Sequence, residues 1–543
     1  MMMVGQFEKQ TKDLIDNLKA TCATYGLGND GNEFKIITQV FLYKFLNDKF
    51  GYELKNTDSR FKKAINWETE LSSLSNAELS RISKLLNPST AKLKKDQLLS
   101  SLYNKQNEPN FAQIFDAVLL DISSSNSAIF SVSTSNNSKI TLFEELSLYV
   151  TDPSKRDDFC KALVNQLVNF SFEKIFQEKF DFFSVIFEYL IKDYNKDGGG
   201  KYAEYYTPHS VSKIMAQILV DKPVKNVSVY DPSAGSGTLL MNVAHEIGEN
   251  NCSIYSQDIS QKSSTMLRLN LILNGLVHSF PNIIQGDTLI EPFHRDKGVL
   301  KKFDFIVSNP PFKLDFSDVM GKLGAPENRE RFFAGIPSIP PKDKDKMPIY
   351  LLFLQHIIFS MGPKSKAAIV VPTGFLTEKN GIAPKIREYL ITKKILAGVI
   401  SMPPNIFATT GTNVSVLLLH KGSDDNAVFL MDASNLGTTV KEGKNKKTYL
   451  SETETDLIIN TYRGRAYVEK FAIAVNFDEI VKKKFSLNSG QYLPIVSSNK
   501  VHSFDDFNEQ LKVLVEVLEA EVAALGKSNL TVIKTLKKLK DKK

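Results

Sequence analysis

Cysteine is scarce in this chain of 543 residues: Cys22, Cys160 and Cys252 are too few and too far apart for a disulfide framework or a zinc cluster. No HExxH or clustered Cys/His pattern offers a metal site. No apolar run reaches the roughly 18 residues of a membrane span, and the opening MMMVGQFEKQTKDLID lacks the apolar stretch of a signal peptide. Charge of one sign is not in large excess. The 68 Lys and Arg against 61 Asp and Glu leave +7, which permits contact with nucleic acid without demonstrating it. No repeat recurs at a period of about 20–50 residues. These absences predict a soluble, reduced, cytoplasmic protein with no membrane partner. What is present is ordinary globular composition, 42% hydrophobic and 24% charged, over a length that suits about three domains of roughly 100–200 residues.

Residues 1–165 read as a mostly helical domain. Phe7, Leu14 and Leu18 fall at helical spacing, and amphipathic runs such as ITQVFLYKFLNDKF, NAELSRISKLLN and FAQIFDAVLLDI come after them, with few stretches that look like buried strands. FDFFSVIFEYLIKDYN predicts a further helix that stops at Gly198-Gly199-Gly200. The texture then changes. Strand candidates at 227–231, 253–258, 282–286, 303–309, 366–372, 394–401, 414–420 and 427–431 alternate with the helical runs SGTLLMNVAHEIG, SQKSSTMLRLNLILNG, YLLFLQHIIFSMG and APKIREYL. Continuous apolar strands between helices predict an α/β, Rossmann-like core with a mostly parallel sheet covered on both faces. The short KGSDDN link between the last two strands predicts an antiparallel hairpin at the sheet edge. This core occupies 166–480. A helical extension, 481–543, comes last, in which Phe504, Phe507, Leu511, Leu514, Leu518 and Leu525 form a coiled-coil-like seam that packs on a partner or on its own body.

Four motifs carry the chemistry. The first strand runs into Asp231-Pro232-Ser233-Ala234-Gly235-Ser236-Gly237-Thr238 and then directly into a helix. Such a turn lets backbone N–H groups approach a ligand closely, or it is simply a tight turn. Leu240 stands where a dinucleotide fingerprint needs a third glycine, and there is no Gly-Lys-Ser/Thr of a Walker loop. The second strand ends in Asp258, 21 residues after Gly237, where a carboxylate accepts from both ribose hydroxyls or caps the next helix. The third ends in Gln285-Gly286-Asp287-Thr288, where Asp287 is placed to take an adenine amino group. The fourth is Ser308-Asn309-Pro310-Pro311-Phe312. The Asn309 amide oxygen and the Pro310 carbonyl can accept both N–H bonds of a ring amino group, which frees its lone pair for attack on an electrophile. Pro310 and Pro311 stiffen the turn, and Phe312 offers a stacking face to an extruded base. Upstream, Ala203-Glu204-Tyr205-Tyr206-Thr207-Pro208 either walls the pocket or is a plain helix start capped by Thr207.

Taken in this order, the residues resemble the gamma arrangement of S-adenosylmethionine-dependent N6-adenine DNA methyltransferases. More closely, the chain is similar to the modification (M) subunits of type I restriction–modification systems. That similarity runs through the N-terminal ITQVFLYKFLNDKF, the FEYLI and EYYTP segments, the core, MPPNIFATTGTNVSVLLLHK and SLNSGQYLP. The resemblance implies an S-adenosylmethionine-dependent methyltransferase core acting on adenine in double-stranded DNA without a metal. It also implies an assembly of two M subunits with one specificity (S) subunit, which a restriction (R) subunit can join. Position by position, residues 203–208, Ala234, Gly235, Ser236 and Asp258 match cofactor contacts, and Asn309 to Phe312 match the catalytic motif. Ala203 stands where the family often has glycine, and Ser256-Gln257-Asp258 replaces Gly-Gln-Glu; the shorter carboxylate keeps the same acceptor chemistry.

Cytosine C5 chemistry is excluded, because it needs a cysteine nucleophile, usually after proline, and the three cysteines come after Thr, Phe and Asn. A stand-alone adenine methyltransferase, an enzyme of protein glutamine or RNA, and a non-catalytic assembly subunit are the competing readings. Residues 313–348 form a long proline-bearing segment, expected to be a mobile lid over the flipped base. Only about 110 residues lie beyond residue 432, much of them helical, which points to a separate specificity subunit docked on residues 485–543.

Overall fold

The computed structural model describes residues 2–28, 31–130, 132–134, 139–176, 207–407, 412–442, 445–493, 512 and 515. The predicted helix over FDFFSVIFEYLIKDYN, residues 203–206 and all six residues of the terminal seam lie outside these. Contacts divide the chain into two units, Met1–Leu493 and Pro494–Lys543, and the first holds every strand of the described residues.

In chain order the strands are β1 (Val132–Thr134), β2 (Lys139–Ile140), β3 (Val227–Asp231), β4 (Cys252–Asp258), β5 (Ile283–Gln285), β6 (Arg295–Asp296), β7 (Val299–Leu300), β8 (Phe303–Ser308), β9 (Met361–Pro372), β10 (Leu396–Ser401), β11 (Val414–His420), β12 (Ala427–Asp432), β13 (Thr438–Glu442), β14 (Asn445–Tyr449) and β15 (Ala472–Asn476). Eleven of them form one sheet in the order β15-β12-β10-β11-β9-β8-β3-β4-β5-β1-β2. The run β9-β8-β3-β4-β5-β1 is parallel throughout. Strand β11 is antiparallel to both neighbours. Along β11 every residue from Val414 to Leu419 is buried, the pattern of a strand covered on both faces. Helices His209–Leu219, Thr238–Ile247 and Gln261–Leu273 supply part of one covering layer; Tyr350–Ser360 and Ala383–Thr392 lie in the opposite one. Pro363 closes the Tyr350–Ser360 helix early, so Met361-Gly362 begin β9 rather than end the helix.

One expectation is corrected. Strands β11 and β12 are not a hairpin, because β10 lies between them, antiparallel to β11 and parallel to β12. The KGSDDN link steps over one strand, about 10 Å, a distance its few residues span easily. The antiparallel edge pairs are instead β12 with β15 and β1 with β2.

Three α-helices of residues 2–168 begin at side-chain caps. Asp58 and Asn66 accept backbone N–H groups as caps, and Ser75 with Glu78 makes a reciprocal capping box. Helix Gly31–Thr57 is the hub of this part, burying Phe41, Tyr43 and Phe50, with the Tyr43 hydroxyl donating to the Gln97 carbonyl at 2.8 Å. A cluster of edge-to-face aromatics around Phe172, including Phe41, Phe45 and Phe170, closes it. The region also extends the sheet, since β1 pairs in parallel with β5. Arg268, on the helix after β4, is 3% exposed and donates to the carbonyls of Phe130 (3.0 Å) and Thr141 (3.1 Å), on either side of the β1–β2 pair. Arg268→Ala strips the buried Phe130 carbonyl and the part-buried Thr141 carbonyl of their donor, and urea denaturation is expected to show a loss of about 1–3 kcal/mol. The control is Lys62→Ala at an exposed position, which should shift stability by less than about 0.5 kcal/mol.

Candidate functional site

Strands β3 and β8 are neighbours, and the chain leaves them in opposite directions along the sheet, β3 toward β4 and β8 toward β9. At such a switch point the loops after the two strands diverge and leave a crevice at their carboxyl ends. Asp231 ends β3 and is 1% exposed; its Oδ1 accepts from the Ser233 amide at 2.9 Å. The loop then turns through Gly235 (φ +54°) and Gly237 (φ +82°), backbone states that favour glycine. At Gly237 a Cβ would also lie 2.2 Å from Leu267 Cδ1. Asn270 Nδ2 donates to the Ser236 carbonyl at 2.7 Å and fixes the loop from the helix behind it.

Asp258, at the end of β4, accepts from the Gly235 amide (2.9 Å) and the Ser260 amide (2.8 Å), while Ser260 caps the next helix. Asp287, after β5, uses Oδ1 for the amides of Leu289 (2.8 Å) and Ile290 (3.1 Å); among the described residues its Oδ2 has no partner. Burial pushes the Asp231 carboxyl up to about 8; the Ser233 amide opposes this and the nearby Asp258 charge adds to it. Burial also raises Asp258, against its two amide bonds.

Asn309 comes directly after β8. The Ser308 hydroxyl meets the Ser233 hydroxyl at 2.7 Å, so the strand tip is tied to the glycine loop. Asn309 Nδ2 donates to Thr207 Oγ1 at 3.3 Å. Thr207 is therefore not the helix cap: Pro208 holds that position before His209–Leu219, with no side-chain capping bond. A cavity of about 460 Å³ joins Thr207, Asp231, Ala234, Gly235, Ser236, Asp258, Asp287, Asn309 and Pro311. Gly237, Pro208, Pro310 and Phe312 are not in its wall. Pro208, Gly237 and Pro310 are buried, and Phe312 packs edge-on against Tyr350 at 6.3 Å. Ala203, Glu204, Tyr205 and Tyr206 fall outside the described residues.

Several wall residues escaped the sequence reading. Ile259 is 69% exposed directly after Asp258, and Leu289, Ile290 and Phe353 add apolar surface. An apolar residue placed outward right after a strand-end carboxylate was the available signal. Residues 313–348 also differ from expectation. Phe316, Leu323, Phe332 and Met347 are buried against Leu289, Ile349, Leu352 and Phe353 in a core of their own. Arg331, 2% exposed, donates to the carbonyls of Thr288 (3.3 Å) and Leu289 (2.5 Å). The segment is thus packed as a strap that walls the cavity with Lys313, Leu314 and Phe316. Among the described residues no group of three or more His, Cys, Asp or Glu is placed to hold a metal ion, and no helix is long and apolar enough to cross a membrane.

Comparison with known proteins places this geometry. The N-6 DNA Methylase family matches residues 178–500. The type I restriction enzyme MpnII methylase subunit of Mycoplasma pneumoniae is 26% identical over 509 residues, 90% of this chain and 89% of that protein. The MjaIX methylase subunit of Methanocaldococcus jannaschii is 26% identical over 390 residues, 68% of this chain and 66% of the relative. Among solved structures, a type I restriction-modification methyltransferase subunit from Streptococcus thermophilus superposes with a TM-score of 0.70 at 23% identity, covering 90% of this chain and 100% of the other. A modification subunit of a putative type I restriction enzyme from Vibrio vulnificus gives 0.54 at 18% identity, over 87% and 93%. Because the family match spans more than half of the chain and takes in both the glycine loop and the Asn-Pro-Pro-Phe turn, the chain belongs to the N-6 DNA methylase family and is an adenine-specific DNA methyltransferase.

Proposed function

We propose that this chain is the modification subunit of a type I restriction–modification complex, methylating N6 of an adenine turned out of double-stranded DNA. The observation that carries the reading is Asn309 on the wall of the same cavity as Gly235, Asp258 and Asp287. The end-to-end match to subunits named as type I methylases supports the rest.

The residues present fit S-adenosylmethionine. Asp258 is an acceptor for ribose hydroxyls, Asp287 Oδ2 for the adenine amino group, and Ile259 and Leu289 offer apolar faces to a purine. Thr207 stands near the strand tip, and Ala203 to Tyr206 are assigned to the same pocket on the strength of the motif, whereas Pro208 lines the neighbouring cleft. When bound, S-adenosylmethionine supplies an electrophilic methyl group on a positively charged sulfur. Everything else is done by this chain. Thr207 takes the amide N–H of Asn309, which leaves Asn309 Oδ1 as the acceptor for the incoming amino group. Together with the Pro310 carbonyl it accepts both N6 hydrogens, so that the nitrogen lone pair turns out of the ring system. Pro310 and Pro311 hold that acceptor pair rigid before the substrate arrives, and Phe312 is assigned as the stacking face. Neither acceptor is a base, so the proton released after transfer leaves to water.

In this reading residues 1–165 are the helical domain, 166–480 the catalytic domain and 481–543 the docking extension, with two such chains on one specificity subunit, a restriction subunit joining them, and the cytoplasm as the site of action. Leu487 and Tyr492 are already buried in the main unit, so the docking role falls to residues beyond Leu493.

Three outcomes are expected. Asn309→Ala, co-expressed with its specificity partner, keeps S-adenosylmethionine affinity within about twofold while N6-methyladenine formation falls by about 10²–10³; retained methylation removes Asn309 from its role. Truncation after Leu493 keeps cofactor binding, measured by calorimetry, and loses co-purification with the specificity subunit. The third concerns pH. The folded chain without cofactor holds its Asp231 proton up to about pH 8, whereas the unfolded chain releases it near 4, so the stability linked to this group is present at low pH and lost as pH rises through that window. Asp231→Asn should therefore flatten the fall in stability between about pH 5 and pH 8, read from urea midpoints at each pH.

A further inference from the structure

The residues from 438 to 449, TTVKEGKNKKTY, hold four lysines and one glutamate, far from the near balance of the whole chain. Of these, Thr438–Glu442 and Asn445–Tyr449 pair as the separate ribbon β13–β14. Its register sets Lys441 directly opposite Lys446 and Val440 opposite Lys447. Like charges in directly opposed positions destabilise a strand pair, so the ribbon keeps an arrangement that a bound anion relieves. Both Lys441 and Lys446 are exposed.

Its place in the fold says what the anion is. The ribbon comes after the carboxyl end of β12, which is parallel to β10, and the Ala433 amide there donates to the Ser401 carbonyl at the end of β10 at 2.9 Å. Strand β10 runs in the same direction as β8, since β11 reverses once between β9 and β10. The ribbon thus stands at the sheet edge that bears Asn309, on the flank away from Asp258 and Asp287. It is fixed there: Thr448, 3% exposed, donates its hydroxyl to the Pro404 carbonyl at 2.6 Å and its amide to the Asn405 carbonyl at 3.0 Å, and the Gly437 amide donates to Glu454 Oε1 at 2.7 Å. A cleft of about 230 Å³ between the ribbon and the next helix is lined by Lys447, Tyr449, Lys213, Pro208 and His209, the last two coming directly after Thr207, which meets Asn309.

We propose that the β13–β14 ribbon is a phosphate clamp that holds the DNA backbone beside the extruded adenine. The cofactor pocket takes the β3–β5 side of Asn309, so the duplex approaches from the β10 side, where the ribbon stands. A two-stranded ribbon rich in lysine suits a polyphosphate backbone, whereas protein interfaces are depleted in lysine. The clamp rests on the methyltransferase reading of the Asn309 site.

The test uses the full-length chain co-purified with its specificity subunit. Lys441→Gln/Lys446→Gln is compared with wild type and with Lys62→Gln/Lys63→Gln, a pair exposed in the N-terminal region. Affinity for duplex DNA is measured by fluorescence anisotropy across roughly 50–200 mM salt. Losing two phosphate contacts lowers the slope of log affinity against log salt by about 2 and weakens binding at the lowest salt by about tenfold or more. S-adenosylmethionine affinity and subunit assembly stay as in wild type, and the melting temperature does not fall, because a repulsive pair has been removed. The Lys62/Lys63 variant leaves the slope unchanged. A methylating wild-type complex whose ribbon variant keeps the full slope overturns the clamp and leaves the methyltransferase reading standing. Loss of assembly with an unchanged slope also overturns it, making the ribbon a protein-docking face. A wild-type complex that neither binds nor methylates DNA overturns both.

Discussion

The parallel pairing of β3 with β8 is the constraint on which this site depends. It sets the glycine loop and the Asn309 turn side by side, and the Ser233–Ser308 hydrogen bond joins their tips. Glycine amides would otherwise be free to spread; Asp258 gathers one of them, and Asn270 holds the loop from behind. The consequence is a pocket whose acceptors are placed before any ligand enters, so little ordering is left to be done on binding. The cost is electrostatic. Asp231 and Asp258 sit close together at low exposure, and both carboxyls are pushed upward by burial.

Much of this was legible because strands covered on both faces leave a clear record, whichever way they run. Strand β11 coincides with the expected 414–420, since a strand covered on both faces reads as a near-continuous apolar run, and β3 coincides with 227–231, with Val229 to Asp231 buried. Asp231, Asp258, Asp287 and Asn309 were legible for a related reason, as each polar group stands just where an apolar run stops. Partnering is a different matter. Nothing in VSVLLLH or AVFLM says which neighbour it takes, and a short link suggests a hairpin until a third strand is inserted. Strands β1 and β2 are three and two residues long, below the length at which a pattern exists, and they lie in a Ser/Asn-rich stretch that reads as a loop.

The strap at 313–348 shows how composition misleads. Proline and balanced charge suggested freedom, yet a few well-spaced apolar residues and one arginine pack the segment. Arg331 works by reaching carbonyls rather than a carboxylate, an arrangement that no charge pattern reveals. Burial brings its pKa down to about 10, still above neutral pH, so it remains a cation. Its two backbone acceptors, Thr288 and Leu289, come directly after Asp287 in sequence, and so the strap and the carboxylate beside it are held by the same short loop.

The β1–β2 pair has a wider meaning for how the protein is built. An exposed parallel strand is a template for another chain, and β5 would be such a strand if the helical region did not lend its own backbone to cover it. The N-terminal region is therefore a shield against misassociation as well as a neighbour of the catalytic sheet. An excised catalytic fragment would begin its existence with an unpaired border, prone to stack with copies of itself.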